Sequence, residues 1–134
     1  MIDRRNHNRV FVVDDEHLIA STTAMILHLR GFDAAFFTVP LEALQAAHVE
    51  APDLLISDVI MPVLSGIELA IQIKAICPEC KILLFAGQAA TAYLLMKDHE
   101  NGHGFEILHK PLHPADLLKK VQAALAPTSG TESL

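Results

Sequence analysis

The sequence predicts an α/β protein: a doubly wound, five-stranded parallel sheet with helices on both faces. Three observations predict it. Short apolar runs alternate with helix-length segments five times along the 134 residues. The clearest run, Val10–Val13, is continuously apolar, as a strand buried on both faces must be. Acidic or lysine residues stand just after the first, third and fifth runs, and such sheets keep their functional groups at those ends. Strict alternation of strand and helix favours parallel pairing, and right-handed crossovers fix most of the topology.

Each element has its own warrant. Val10–Val13 is the first strand. His17–Arg30 follows as a helix, with Leu18, Thr22, Met25, Ile26 and Leu29 on one face and Gly31 as its stop. Asp33–Phe37 is the second strand. Pro40 suits the first turn of a short helix through His48. Pro52 precedes the third strand, Asp53–Ser57. Ser65–Ile76 is a helix that Pro78 ends. Lys81–Phe85 is the fourth strand, and Ala89–His99 the fourth helix, after which Gly102 and Gly104 break the chain. Phe105–His109 is the fifth strand. Pro114 opens a last helix through Ala126, with Leu117, Leu118, Val121 and Leu125 facing inward. One domain over 1–126 is expected, with 127–134 as a disordered tail.

Composition narrows the function classes. With 51% hydrophobic and 19% charged residues, the chain has material for one packed core. A net charge of -6 argues against direct nucleic-acid binding. The most basic stretch, Arg4, Arg5 and Arg9, reads as a solvated start. No apolar run reaches the roughly 18–20 residues of a membrane span, and no signal-peptide pattern opens the chain, so a cytoplasmic location is expected. Cys77 and Cys80 lack the second pair that a four-ligand zinc site needs, and read as two ordinary thiols.

The chemistry gathers at the strand ends. Asp14, Asp15 and Glu16 follow the first strand, Asp58 the third, Ala86 and Gly87 the fourth, Lys110 and Pro111 the fifth. In a doubly wound sheet these ends converge. Two carboxylates about 4 Å apart repel by roughly 4 kcal/mol at an effective dielectric of 20. Uncompensated, the cluster weakens the fold or forces one carboxyl to keep its proton. A hard divalent cation such as Mg²⁺ resolves this, since it takes carboxylate oxygens, waters and phosphate oxygens. Lys110 adds a point charge suited to phosphate. An aspartate in that setting is equipped to attack phosphorus and form an aspartyl phosphate. Each piece alone has a plainer meaning: a loop cap, an Asx turn, a Lys-Pro turn. Their conjunction at three strand ends is the signal.

On these residues the chain resembles a two-component response-regulator receiver domain from about residue 9 to residue 126. The matching segments are VFVVDDE (10–16), DLLISDVIMPVLSGIEL (53–69), KILLFAG (81–87) and FEILHKPLHPADLL (105–118). The resemblance implies a flavodoxin-like sheet of strand order 2-1-3-4-5. It implies that Asp58 is the phospho-acceptor. It further implies that Asp15 binds Mg²⁺ directly, Asp14 through water, and Ile60 through its backbone carbonyl. Lys110 would contact the phosphoryl group, Pro62 and Gly66 would shape the loop beside the acceptor, and the bond before Pro111 is a candidate for the cis form. The implied donor is a phosphohistidine on a sensor histidine kinase or a phosphotransfer protein. The implied role is regulatory rather than enzymatic, limited to the chain's own phosphorylation and dephosphorylation.

Two positions depart from the family. A threonine or serine usually stands where this chain has Ala86, and a tyrosine or phenylalanine where it has Ile107. Phe105, on the same strand face, is a candidate substitute. The expectation is an intact acceptor with a weak or rerouted conformational readout. A downstream protein is expected on the face of the fourth helix, fifth strand and fifth helix, where Tyr93, Leu94, Leu95 and Met96 lie; a homodimer is left open. Two other functions compete. One is a pseudo-receiver that only binds protein, favoured by Ala86 and opposed by Asp15, Asp58 and Lys110. The other is a haloacid-dehalogenase-like phosphatase, which would want Asp-x-Asp where Asp14-Asp15-Glu16 stands.

Overall fold

A computed structural model describes residues 8–97 and 105–126, with the side chains of 93–97 left aside. Arg4, Arg5, the predicted helix end at His99, Gly102, Gly104 and the predicted tail lie outside the described residues, as do the side chains of Tyr93, Leu94, Leu95 and Met96.

Five strands and five helices alternate: β1 (Arg9–Val13), α1 (His17–Leu29), β2 (Asp33–Phe37), α2 (Pro40–Val49), β3 (Leu54–Asp58), α3 (Gly66–Ile76), β4 (Lys81–Ala86), α4 (Gln88–Lys97), β5 (Glu106–His109) and α5 (Pro114–Leu125). The strands form one sheet in the order β2-β1-β3-β4-β5, and every pairing is parallel. This is the flavodoxin-like arrangement expected from the sequence.

Alternate residues of each strand feed two cores, because successive side chains leave opposite faces of the sheet. On one face Phe11, Val13, Leu55, Leu84 and Ala86 meet α2, α3 and the start of α4 through Ala43, Ala47, Leu69, Ile73 and Ala90. On the other, Val10, Val12, Leu54, Ile56, Leu83 and Leu108 meet α1 and α5 through Ala24, Leu27, Leu117, Leu118 and Val121. Leu125 is partly buried against that second core, as its helical spacing predicts. Among the described residues no helix is long and apolar enough to cross a membrane.

The predicted face of α1 is corrected. The buried stripe is Ala20, Thr23, Ala24 and Leu27, while Leu18, Met25 and Leu29 are 76%, 62% and 74% exposed. Of the predicted set, only Ile26 packs toward the core. Both stripes have helical spacing, but the one chosen by the sheet is built mainly of small residues that let the helix approach closely. The helix ends as expected. Gly31 adopts φ +91°, and the Phe32 and Gly31 amides donate to the carbonyls of Leu27 and His28, closing the last turn.

Smaller corrections concern ends. Asp58 and Ala86 are the last residues of β3 and β4 rather than the first after them, because the parallel ladder extends one residue further. Ser65 caps α3 instead of starting it: its hydroxyl accepts from the Glu68 amide, and Glu68 reaches back to the Ser65 amide. Arg9 is not a loose solvated residue. It opens β1, and its guanidinium pairs with Asp33 at 3.2 Å and Glu50 at 2.6 Å.

Cys77 and Cys80 are free thiols in the turn between α3 and β4, closed by the Cys80 amide donating to the Cys77 carbonyl. Burial, and secondarily Cys77, pushes the Cys80 thiol up to about 12, which leaves little thiolate at neutral pH.

Candidate functional site

The ladder carries the site residues one step past the strands. The amide of Asp14 donates to Phe37 O, that of Val59 to Phe85 O, and that of Lys110 to Ala86 O. Three strand ends are thereby pinned at one edge of the sheet before any side chain contributes.

There Asp14, Asp15 and Asp58 converge, with one carboxylate oxygen of each within 4.8 Å of the others. Their environments differ. Asp14 is buried and both its oxygens are engaged: Oδ1 accepts from the Glu16 amide at 2.9 Å, and Oδ2 faces Lys110 Nζ at 3.4 Å. Asp15 is exposed. Asp58 Oδ1 accepts from its neighbour's amide, Val59 N, at 3.1 Å and pairs with Lys110 Nζ at 3.2 Å. Lys110 thus bridges two aspartates and arrives from the far edge strand, and the bond that follows it, to Pro111, is cis.

The electrostatics are strained in the way three carboxylates and one ammonium require. Burial raises the pKa of Asp58; Lys110 pulls it down and Asp14 pushes it up, and the net direction is upward. Burial pulls Lys110 down, but Asp14 and Asp58 together outweigh it and hold the ammonium above its ordinary range. The lysine stays charged and the Asp58 carboxylate is under-compensated.

The loop after β3 frames Asp58. Val63 sits at φ +74°, and the Leu64 amide donates to the Pro62 carbonyl across it, a γ-turn that a β-branched residue adopts with strain. The Gly66 amide donates to Val59 O at 2.8 Å, and a Cβ on Gly66 would overlap the Asp58 carbonyl oxygen and reach Ser57 Oγ at 3.0 Å. Glycine is required there because the chain returns against the backbone of Asp58. The Ile60 side chain is 51% exposed and takes no part in the core.

Ala86 is buried, and Ile107 and Phe105 pack against the same core cluster on the same face. Sequence reasoning missed three residues. Buried Ser57 donates its hydroxyl to the Asp58 carbonyl at 2.9 Å; the lone hydroxyl in the run LLIS was the available signal. Thr91 and His109 meet at 3.2 Å between α4 and β5, a contact between residues 18 apart that no local pattern announces.

Comparison with known proteins gives a consistent result. A family model described as the response regulator receiver domain matches residues 10–122. The response regulator receiver protein CpdR of Brucella abortus is 29% identical over 117 residues, covering 87% of this chain and 96% of that protein. The transcriptional regulatory protein CreB of Escherichia coli is 31% identical over 121 residues, covering 87% of this chain but 50% of that protein. The chain therefore spans about half the length of the longer transcriptional relatives it matches. A response regulator receiver domain protein from Clostridium thermocellum superposes with a TM-score of 0.75 at 26% identity, covering 87% of this chain and 93% of that one.

Proposed function

The chain belongs to the response-regulator receiver family of two-component signalling, and from that premise we propose that it accepts a phosphoryl group on Asp58 from a phosphohistidine donor. The observation that carries this reading is Lys110 bridging Asp14 and Asp58 beside the exposed carboxylate of Asp15.

An Asp58 carboxylate oxygen attacks phosphorus; an O–P bond forms as the donor's P–N bond breaks, and the bonding pair stays on the imidazole nitrogen. The Val59 amide and Lys110 orient the carboxylate. Lys110, held charged by its two aspartates, follows the phosphoryl oxygens as negative charge spreads over them. Asp14, fixed on both oxygens, positions Lys110 rather than reacting.

The donor set fits Mg²⁺: three carboxylates in one pocket are all hard oxygen ligands, and Asp58 is left under-compensated by Lys110 alone. Asp15 and Asp58 would hold the ion directly, Asp14 through water and Ile60 by its backbone carbonyl. When bound, Mg²⁺ neutralises charge on the transferring phosphoryl group.

The donor is a sensor histidine kinase or phosphotransfer protein, and the setting is the cytoplasm. Output goes through a protein partner on the α4–β5–α5 face, or through a second copy of the chain there, without direct DNA contact. The domain spans 1–126, and the chain catalyses nothing beyond its own phosphorylation and dephosphorylation. The second reading, a pseudo-receiver that binds protein without being phosphorylated, is favoured by one observation: buried Ala86 has no hydroxyl to offer a phosphoryl oxygen.

Intact mass after treatment with acetyl phosphate and Mg²⁺ decides between them. The expected result is a gain of one phosphate in the wild type and none in Asp58→Asn. An unmodified wild type would leave the pseudo-receiver reading standing.

A further inference from the structure

We propose that Thr91 and His109 form the link by which the state of Asp58 reaches the first turn of α4, an inference that rests on Asp58 being the acceptor. A continuous chain of contacts runs between them. Asp58 pairs with Lys110 Nζ at 3.2 Å. The Lys110 amide donates to Ala86 O at 2.9 Å, and His109, its covalent neighbour, stands in register with Ala86. The His109 ring meets Thr91 Oγ1 at 3.2 Å, and that hydroxyl also meets Gly87 O at 2.9 Å. The ends of β4 and β5 and the start of α4 are thus closed into one bracket beside the acceptor.

Thr91 has one hydroxyl hydrogen, and the Gly87 carbonyl can only accept, so that hydrogen goes to Gly87. The contact of His109 Nδ1 with that hydroxyl closes the bracket, its direction set by the ring tautomer.

The bracket is placed to respond. Lys110 now reaches back to two carboxylates; a phosphoryl group on Asp58 puts its oxygens beyond them, and the lysine must re-aim. Neither Ala86 nor Ile107 carries a polar group able to sense that change. Thr91 to His109 is the side-chain hydrogen bond that joins α4 to β5 among the described residues. A ligand shifts conformation only through contacts that differ between two states, and this bond supplies one.

The test uses the ¹⁵N-labelled chain with Mg²⁺ and acetyl phosphate, followed by intact mass and amide spectra. Thr91→Val takes up one phosphate as the wild type does, but the phosphorylation-induced shifts across residues 87–92 fall to less than half. Thr91→Ser restores them, and His109→Leu reproduces the loss from the other side. Wild-type-sized shifts in phosphorylated Thr91→Val or His109→Leu would overturn the link alone. Failure of the wild type to gain phosphate would instead overturn the reading of Asp58, and the link with it.

Discussion

At Asp58, burial and the Asp14 carboxylate act against ionisation while Lys110 acts for it, and the first pair prevails. The pKa of the folded chain therefore lies above the ordinary 3.8, and the folded state holds that proton more tightly than the unfolded one. The sign follows. The contribution of Asp58 to stability is fully present below pH 3.8 and is lost as pH rises through the folded value, so at neutral pH its ionised form destabilises the fold. Asp58→Asn is expected to melt at a higher temperature than the wild type at pH 7 in chelator, with the gap closing as pH falls below 4. Thermal unfolding at both pH values measures it; equal melting temperatures at pH 7 would show that the carboxylate is not under-compensated. Asp58 thus stands against the interest of stability, as functional groups in confined sites often do.

Among the elements, α1 separates two stripes of equal helical spacing. Leu27 is fully buried, whereas Leu29 is 74% exposed. Leu27→Ala is expected to cost about 2–5 kcal/mol, because it leaves a cavity in a packed core. Leu29→Ser should stay within about 0.5 kcal/mol, because it removes little buried surface. Urea unfolding of the two variants checks this; comparable losses would mean that the helix is rotated from the orientation described. The loop after β3 shows the other side of element-scale control. Its γ-turn at Val63 is disfavoured by the residue it contains, and is held by the Gly66 and Ser65 contacts that follow.

For the whole molecule, three strand ends bring like charges together, so cation binding there is expected to couple to folding. A Mg²⁺ concentration a hundredfold above its dissociation constant is expected to stabilise the wild type by about 2.7 kcal/mol, a melting-temperature rise on the order of 10 °C. Asp15→Asn removes the exposed carboxylate and should lose most of that rise while melting normally in chelator. An equal Mg²⁺ response in both proteins would remove Asp15 from the ligand set.

What the sequence determined by itself was whatever repeats locally or lies on a named backbone position. The alternation of elements was legible because a strand and a helix each impose their own period on nearby side chains. Asp14, Asp15, Asp58 and Lys110 were legible because a parallel sheet delivers strand ends to one edge, so order along the chain implies nearness in space. Only the tertiary structure decided which stripe of α1 faces the sheet, that Asp14 is buried while Asp15 is open, and that Thr91 reaches His109. Each of these depends on how closely two distant elements approach one another, and that distance is set by packing over the whole core rather than by the residues that display the result.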